Sequence, residues 1–219
     1  MDAEFFESLL AAVADFIGGV ASRDEAPSIP EAASSAWSAL GRAATHPTSL
    51  GVPEHQGIQA IRAADPDFEL SAFLVRVGEM FSAYHEALDR GDLAPARRFV
   101  DEKAYAKLEP AVMKSGRNFD ERNALKVRAI KPITARHEDD LDLVRVFITA
   151  EQSSSPDLLC EYWELIRKRG THTKPGLDVT HCPNCGGPVD GLDPTRCAYC
   201  GTRLADPALD WVVRKITAQ

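Results

Sequence analysis

The sequence lacks any run of the roughly 18–20 uncharged apolar residues that a membrane-spanning helix needs. It also lacks a surplus of positive charge, because 25 Lys and Arg stand against 33 Asp and Glu, a formal net charge of −8. A general nucleic-acid binder is usually basic. The first cationic side chain is Arg23, so the positively charged start of a secretion signal is missing. These absences predict a cytoplasmic protein.

Charge is nevertheless unevenly distributed along the chain. The formal charge is −11 up to Ile166 and +3 from Arg167 onward. The acidic balance therefore belongs to only one part of the molecule, and the end of the chain is mildly basic.

Cysteine is scarce, but four of the five cysteines fall within nineteen residues, as Cys182-Pro-Asn-Cys185 and Cys197-Ala-Tyr-Cys200. The odd total of five cysteines and the two CxxC pairs favour metal binding over disulfides. Two residues between thiolates let one turn present both sulfurs to one ion, and a glycine follows each pair. The spacing predicts a zinc ribbon with one structural Zn²⁺, held in a closed shell of four sulfurs. The loop between the pairs is too short for a core of its own, so the metal is expected to hold this module folded.

Three other residues of types that bind metal receive different interpretations. Cys160 lies in a predicted strand and is expected to be a small buried hydrophobic residue. His172 and His181 are interpreted as surface residues near the module, because four thiolates already complete the zinc shell.

The first segment, residues 1–20, has apolar residues at helical spacing and predicts an amphipathic helix. It is expected to pack on its own domain or on a sister chain. A position on the membrane surface is less favoured, because the polar positions are acidic and anionic lipid would repel them. Residues 21–56 are rich in Pro, Ser and Ala and predict a linker.

Helices come first in the body of the protein. Asp65-Pro66-Asp67 predicts the start of a helix that runs to Leu88 and ends at Arg90-Gly91, with Met80 in its core-facing stripe. Asp92 is expected to cap a short second helix, and Asp101 a third that ends near Met113.

After these helices the apolar period changes from about 3.6 to 2. Strands are predicted from Leu125, over Leu141–Thr149, over Leu158–Arg167 and over Asp210–Thr217. Helices followed by an antiparallel meander predict an α+β fold.

The stretch from Ile58 to Gln152, together with WELIRKRG and DWVVRKI further on, resembles the Tim44-like domain, the C-terminal domain of the scaffold of the mitochondrial import motor. The resemblance implies a cone-shaped fold of the nuclear-transport-factor-two-like kind, in which helices pack on a curved antiparallel sheet around an apolar pocket. Bacterial relatives with a zinc ribbon before the last strand resemble this chain.

The same resemblance implies how the parts are connected. The body would comprise residues 57–169 and 210–219, with the ribbon inserted at residues 170–209. Trp163 and Trp211 would then lie on neighbouring strands, either as a cross-strand pair or facing opposite sides.

These features favour a non-catalytic binding or scaffold protein, with a protein or a lipid as its partner and a role in protein transport or membrane-associated assembly. Peripheral contact with the inner face of the membrane and homo-oligomers through the N-terminal helix are expected. The sequence has no transit peptide or long basic N-terminal region, so function in the import motor does not carry over.

Two alternatives stay open. A zinc-ribbon adaptor for nucleic acid or protein would use the basic residues of the last third of the chain against phosphates: Arg167, Lys168, Arg169, Lys174, Arg196 and Arg203. An enzyme with a pocket would draw its acid–base groups from four residues: Tyr84, His85, Tyr105 and His137. A buried pair of an acid and a histidine would favour the enzyme, whereas an apolar pocket lining would argue against it.

Overall fold

The computed structural model describes residues 52–115, 125–153, 155–172, 174, 178–189 and 193–218. The predicted helix at 1–20 and all but the end of the predicted linker lie outside these ranges. The elements in chain order are α1 (Val52–Ala64), α2 (Leu70–Asp89), a 3₁₀ helix (Ala94–Arg98), α3 (Glu102–Ser115), β1 (Leu125–Glu138), β2 (Leu141–Gln152), β3 (Ser155–Lys168) and β4 (Val212–Ala218).

The four strands form one antiparallel sheet in the order β1-β2-β3-β4. A tight turn at Asp139 and Asp140 joins β1 to β2, and Asp139 has φ 55°. Because β4 pairs with β3, the long segment between them connects two neighbouring strands. Three α-helices packed against this sheet confirm the predicted α+β fold.

The inner face of the sheet is filled by apolar side chains. Helix α2 contributes Met80 and Phe81, which are 0% exposed and belong to the same cluster as Ile130 and Trp163 of the sheet. Helices α1 and α3 add side chains to the same cluster. The prediction that Met80 belongs to the core is confirmed.

The predicted ends of the helices are confirmed at three places. Gly91 follows α2 with φ 68°, and its N–H donates to the Leu88 carbonyl, as in a left-handed C-terminal cap. The Asp92 carboxylate accepts from the N–H of Ala94 at 3.0 Å at the start of the 3₁₀ helix. Asp101 accepts in the same way at the start of α3.

The prediction that Asp65 begins a helix was wrong. Helix α2 begins at Leu70, and its N-cap residue Glu69 makes no side-chain capping bond. Asp65 instead follows a separate helix, α1, which begins at Val52, inside the segment predicted as linker. The Asp65 carboxylate lies 2.6 Å from the buried Arg167 guanidinium. Asp65 is therefore positioned by this ion pair and not by the start of a helix.

The two tryptophans do not form a cross-strand pair. Trp163 lies opposite Ile216 in the β3–β4 register, with its ring centroid 5.8 Å from that of Phe81. Trp211 comes just before β4, with its ring centroid 4.8 Å from that of Phe73.

None of the helices within the described ranges combines the length and the apolar character that crossing a bilayer requires.

Candidate metal centre and its surroundings

The four cysteines predicted to bind zinc come together between β3 and β4. One sulfur from each of Cys182, Cys185, Cys197 and Cys200 lies within 4.8 Å of the others. Cys182 and Cys197 are buried, whereas Cys185 and Cys200 are exposed. The cluster therefore has one side inside the module and one side toward the surface.

The distances between the sulfurs fit a tetrahedral metal site. The sulfurs of Cys182 and Cys200 are 3.8 Å apart, and those of Cys185 and Cys197 are 3.7 Å apart. A tetrahedron with Zn–S bonds of about 2.3 Å has edges of about 3.8 Å. A disulfide would need about 2.05 Å between sulfurs. The donor set and its spacing thus suit one zinc ion with all four positions taken by protein.

The two CxxC turns are built in the same way. The N–H of Cys182 donates to the Gly187 carbonyl at 2.8 Å, and the N–H of Cys197 donates to the Thr202 carbonyl at 2.9 Å. The glycine after each pair, Gly186 and Gly201, has φ near 70°. This left-handed conformation is what a glycine permits at little cost.

The likeness between the turns extends to a repeat in which equivalent residues lie fifteen positions apart, which was not predicted above. Asp178 accepts hydrogen bonds from the N–H and hydroxyl of Thr180, and Asp193 does the same for Thr195. The signal was present as DVTHCPNCGGPV beside DPTRCAYCGTRL. Each half thus orders the segment before its first cysteine with an aspartate and a threonine.

The thiols differ in how readily they ionise. Hydrogen bonds from the Thr202 hydroxyl and N–H lower the pKa of Cys200 to about 6. The Gly187 N–H also favours the Cys185 thiolate, but local desolvation and the three neighbouring sulfurs outweigh it and raise the pKa of Cys185 to about 11. Four thiolates held this close together would therefore need a cation among them to offset their mutual repulsion.

A polar junction joins the module to α2. The Arg76 guanidinium lies 2.5 Å from Asp210, just before β4, and 3.9 Å from Glu79. Burial is the main cause that raises the pKa of Glu79 to about 7, opposed by Arg76 and by the N–H of Val179, which precedes the first cysteine pair. The carboxyl of Glu79 is thus poised between its neutral and charged forms at this contact.

A cleft of about 10 Å³, room for roughly one water molecule, lies at the same junction. Its lining mixes charged groups such as Arg76 and Asp210 with Phe99 and Trp211. It is too small for a lipid tail.

The four residues proposed for an enzyme do not meet at one site. Tyr105 donates to Glu109 on α3, and the His137 imidazole lies 2.6 Å from Asp142 at the β1–β2 end. Tyr84 and His85 are both buried beneath the sheet.

His85 nevertheless forms the kind of pair that would favour an enzyme. Its Nε2 lies 3.3 Å from a Glu161 carboxylate oxygen, and the same oxygen accepts from Trp163 Nε1 at 2.7 Å. The side chains of His85 and Glu161 are only 5% and 6% exposed. Neither lines the cleft described above, so the pair is packed within the core.

The basic residues proposed to contact phosphates are largely engaged within the protein. Arg167 is 1% exposed and lies between Asp65 and Asp142, so its prediction as a phosphate contact was wrong. Arg203 pairs with Glu102 at 3.0 Å, and Lys174 donates to the Pro183 carbonyl. Arg196 also donates to a carbonyl, that of Gly201, which leaves Lys168 and Arg169 as exposed cations with no ion pair among the described residues.

Asp65, Asp67 and His172 form a second group of possible metal ligands. His172 is 66% exposed and its Nδ1 lies 3.5 Å from Asp65. The Arg167 guanidinium already neutralises Asp65 and would repel a metal ion, so this group carries no metal assignment.

Cys160 is partly exposed, and its prediction as a buried core residue was wrong. It lies opposite Thr149 on the face of the sheet turned away from the helices, because its neighbours Leu159 and Glu161 point toward the helices.

Residues 54–157 match the family model of the Tim44-like domain, whose members are generally non-enzymatic scaffolds. The match ends inside β3, before the cysteine module and β4. No curated protein matches the chain.

Proposed function

Because residues 54–157 form a Tim44-like domain, we propose that the chain is a non-catalytic binding scaffold for a protein or lipid partner, with a structural zinc ribbon that extends its surface. We propose that this scaffold acts in protein transport or in membrane-associated assembly, in the cytoplasm and at the inner face of the membrane.

The cluster of four sulfurs between two adjacent strands is the observation that carries the proposal. Cys182, Cys185, Cys197 and Cys200 would hold Zn²⁺ with no position left for water or substrate, so the metal supplies stability and not reactivity. The module's own apolar cluster supports this role, because it contains only Cys182, Cys197 and Leu204, with Val189 packed against it. So small a core needs a metal to remain folded.

The binding surface is proposed on the outside of the molecule. Buried side chains fill the inner face of the sheet, and the junction cleft holds about one water, so a groove or surface is favoured over an internal apolar pocket. Tyr199 at the tip of the module is the most exposed large apolar side chain of the described residues, at 65%. Its ring lies against Gly187, where an added Cβ would come within 2.9 Å of it. An aromatic ring held in this way suits an interface anchor.

Photo-crosslinking in cells tests whether the partner is a protein. A photo-crosslinking amino acid at position 199 is compared with the same group at exposed Lys107 on α3. An adduct that forms at 199 and not at 107 is the expected result. Vesicle sedimentation tests whether the partner is a lipid. The zinc-loaded full chain is sedimented with phosphatidylcholine vesicles, with and without phosphatidylglycerol. A monodisperse chain that gives neither an adduct nor vesicle binding would contradict the proposal.

One observation favours the enzyme as a second candidate, namely the buried pair of His85 and Glu161. Because Trp163 donates to Glu161, a ligand that reached the pair would change the emission of Trp163. Titration with an apolar cyclic ketone, with Trp163→Phe as reference, tests this candidate. Unchanged Trp163 emission would remove it.

A further inference from the structure

The outer face of the sheet is the side turned away from the helices. In the described part of the chain, no helix packs on it. Every helical apolar side chain that is described as buried belongs to the cluster on the inner face. Among the described residues, the outer face is covered at one end, where Ala205 packs on Leu143, Ile166 and Val212. The middle of the face, on β2 and β3, carries half-buried Arg145, Phe147 and Tyr162.

The outer face is basic although the protein is acidic. Three glutamates on it each pair with an arginine: Glu151 with Arg128, Glu138 with Arg136 and Arg214, and Glu164 also with Arg214. Four further cations, Lys126, Lys131, Arg145 and Lys215, take part in no ion pair among the described residues. Among these described side chains, seven cations against three anions leave a surplus of four positive charges, in a chain of net charge −8.

An aromatic centre lies within this basic surface. Phe147 and Tyr162 are opposite each other in the β2–β3 register, with ring centroids 4.8 Å apart. The Arg145 guanidinium lies 4.6 Å from the centre of the Tyr162 ring. The face therefore offers apolar contact at its middle and positive charge around it.

The sequence of residues 1–20 has the complementary composition. It contains four acidic residues, Asp2, Glu4, Glu7 and Asp15, and no Lys or Arg. Its apolar side chains, among them Phe6 and Leu10, recur at helical spacing and need a surface to cover them. Four negative charges would meet the surplus of four positive charges, and the apolar stripe would meet the aromatic centre.

From this complementarity we infer that residues 1–20 dock on the outer face of the same chain, with their apolar stripe on Phe147 and Tyr162 and their carboxylates toward Lys131, Arg145 and Lys215. The proposal is independent of the proposed scaffold function.

The chain length permits this contact. Residues 21–51 join the segment to α1, and a coil of that length spans about 30 Å on average. A short tether also gives the segment an effective concentration of the order of millimolar, so a weak contact suffices. A second copy docked face to face is disfavoured, because two surfaces with the same surplus of positive charge would repel.

Hydroxyl-radical footprinting of the full zinc-loaded chain tests the proposal, because Phe147, Tyr162 and Tyr199 report separately. Docking protects Phe147 and Tyr162, whereas Tyr199 on the cysteine module serves as an internal standard. The paired change Lys131→Glu and Lys215→Glu is expected to raise oxidation of Phe147 and Tyr162 at least threefold relative to Tyr199. Raising the salt from 0.05 to 0.5 M is expected to act in the same direction, because screening weakens the contact.

The matched control is Lys103→Glu with Lys107→Glu, the same charge change at two exposed positions of α3. It is expected to leave both rings protected. Equal oxidation of Phe147 and Tyr162 in both double variants and in the unaltered chain would overturn the proposal. Protection that depends on protein concentration would mean that the segment docks on a second copy. Protection that appears only with a single-stranded oligonucleotide would mean that the face binds nucleic acid. Either result overturns docking within one chain.

Discussion

The Arg167 guanidinium is 1% exposed and lies between two carboxylates, 2.6 Å from Asp65 and 3.6 Å from Asp142. These three residues tie the end of α1 to the middle strands of the sheet. They stabilise the fold because their buried charges compensate one another. Removal of one partner would leave the others buried with an uncompensated charge.

Arg167→Met is therefore expected to lower the free energy of unfolding by about 3–5 kcal/mol. The matched change Arg128→Met breaks an exposed pair with Glu151 and is expected to cost at most about 1 kcal/mol. Urea unfolding of both variants provides the measurement. Similar losses in the two variants would show that the buried triad is not a main support of the fold.

Asp65 also shows what a local pattern leaves undetermined. The run Asp65-Pro66-Asp67 suits a helix start, yet the position of Asp65 is set by Arg167, 102 residues away along the chain. Sequence spacing reports neighbours within a turn or two and carries no information about that partner. The caps at Asp92 and Asp101 were predictable because their partners lie two residues further along.

Glu79 gives a prediction for the dependence of stability on pH. Its pKa is about 7 in the folded protein against 4.5 as the ordinary value. Between these values the folded state keeps Glu79 protonated while the unfolded state ionises it, so the contribution of Glu79 to stability falls as the pH rises from about 4.5 to 7. The whole effect is roughly 3 kcal/mol.

Glu79→Gln should remove this fall, so the difference in unfolding free energy between the variant and the unaltered chain should shift in the variant's favour as the pH rises from 5 to 8. Glu86→Gln changes an exposed residue of the same helix and should leave the profile unaltered. A Glu79→Gln profile that runs parallel to the original would contradict the assignment.

Among the elements, the strands were predictable and their irregularities were not. The alternation that begins at Leu125 and Val127 identified β1, but a bulge between Val127 and Ala129 shifts the register. Ile130 is buried as a result, whereas Ala129 is only half-buried. A one-residue shift exchanges the two faces of a strand, and no local signal marks it here.

Helix α1 was not predicted, because Pro53 belongs to a segment rich in Pro, Ser and Ala that is typical of a linker. Proline is tolerated in the first turn of a helix, where its missing N–H is not needed. Gly57 serves a contact that only the folded protein reveals, since a Cβ there would come 1.8 Å from the Ala135 carbonyl oxygen of β1. The close approach of α1 to β1 thus depends on a residue without a side chain.

Gly57→Ala is accordingly expected to push α1 away from β1 and to destabilise the protein by about 3 kcal/mol. Gln59→Ala, at an exposed position of the same helix, should be neutral or raise stability by a few tenths of a kcal/mol. Thermal unfolding separates the two. A neutral Gly57→Ala variant would mean that α1 does not approach β1 so closely.

At the scale of the whole molecule, helices cover one face of a four-stranded sheet, and the cysteine module interrupts the connection from β3 to β4. The cysteines could be recognised from sequence because their spacing is local. The attachment of the module could not be, because Arg76 and Asp210 are 134 residues apart. A zinc ion bound by the four cysteines is expected to hold this module together.

The zinc content of the purified full chain and the ligands of the metal measure whether the four cysteines bind it. One zinc per chain is expected, with four sulfurs at about 2.3 Å by X-ray absorption. Zinc should be lost in the Cys197→Ser, Cys200→Ser variant and kept in a Cys160→Ser control. Full zinc in the double variant, or nitrogen and oxygen ligands in the unaltered chain, would contradict this zinc assignment.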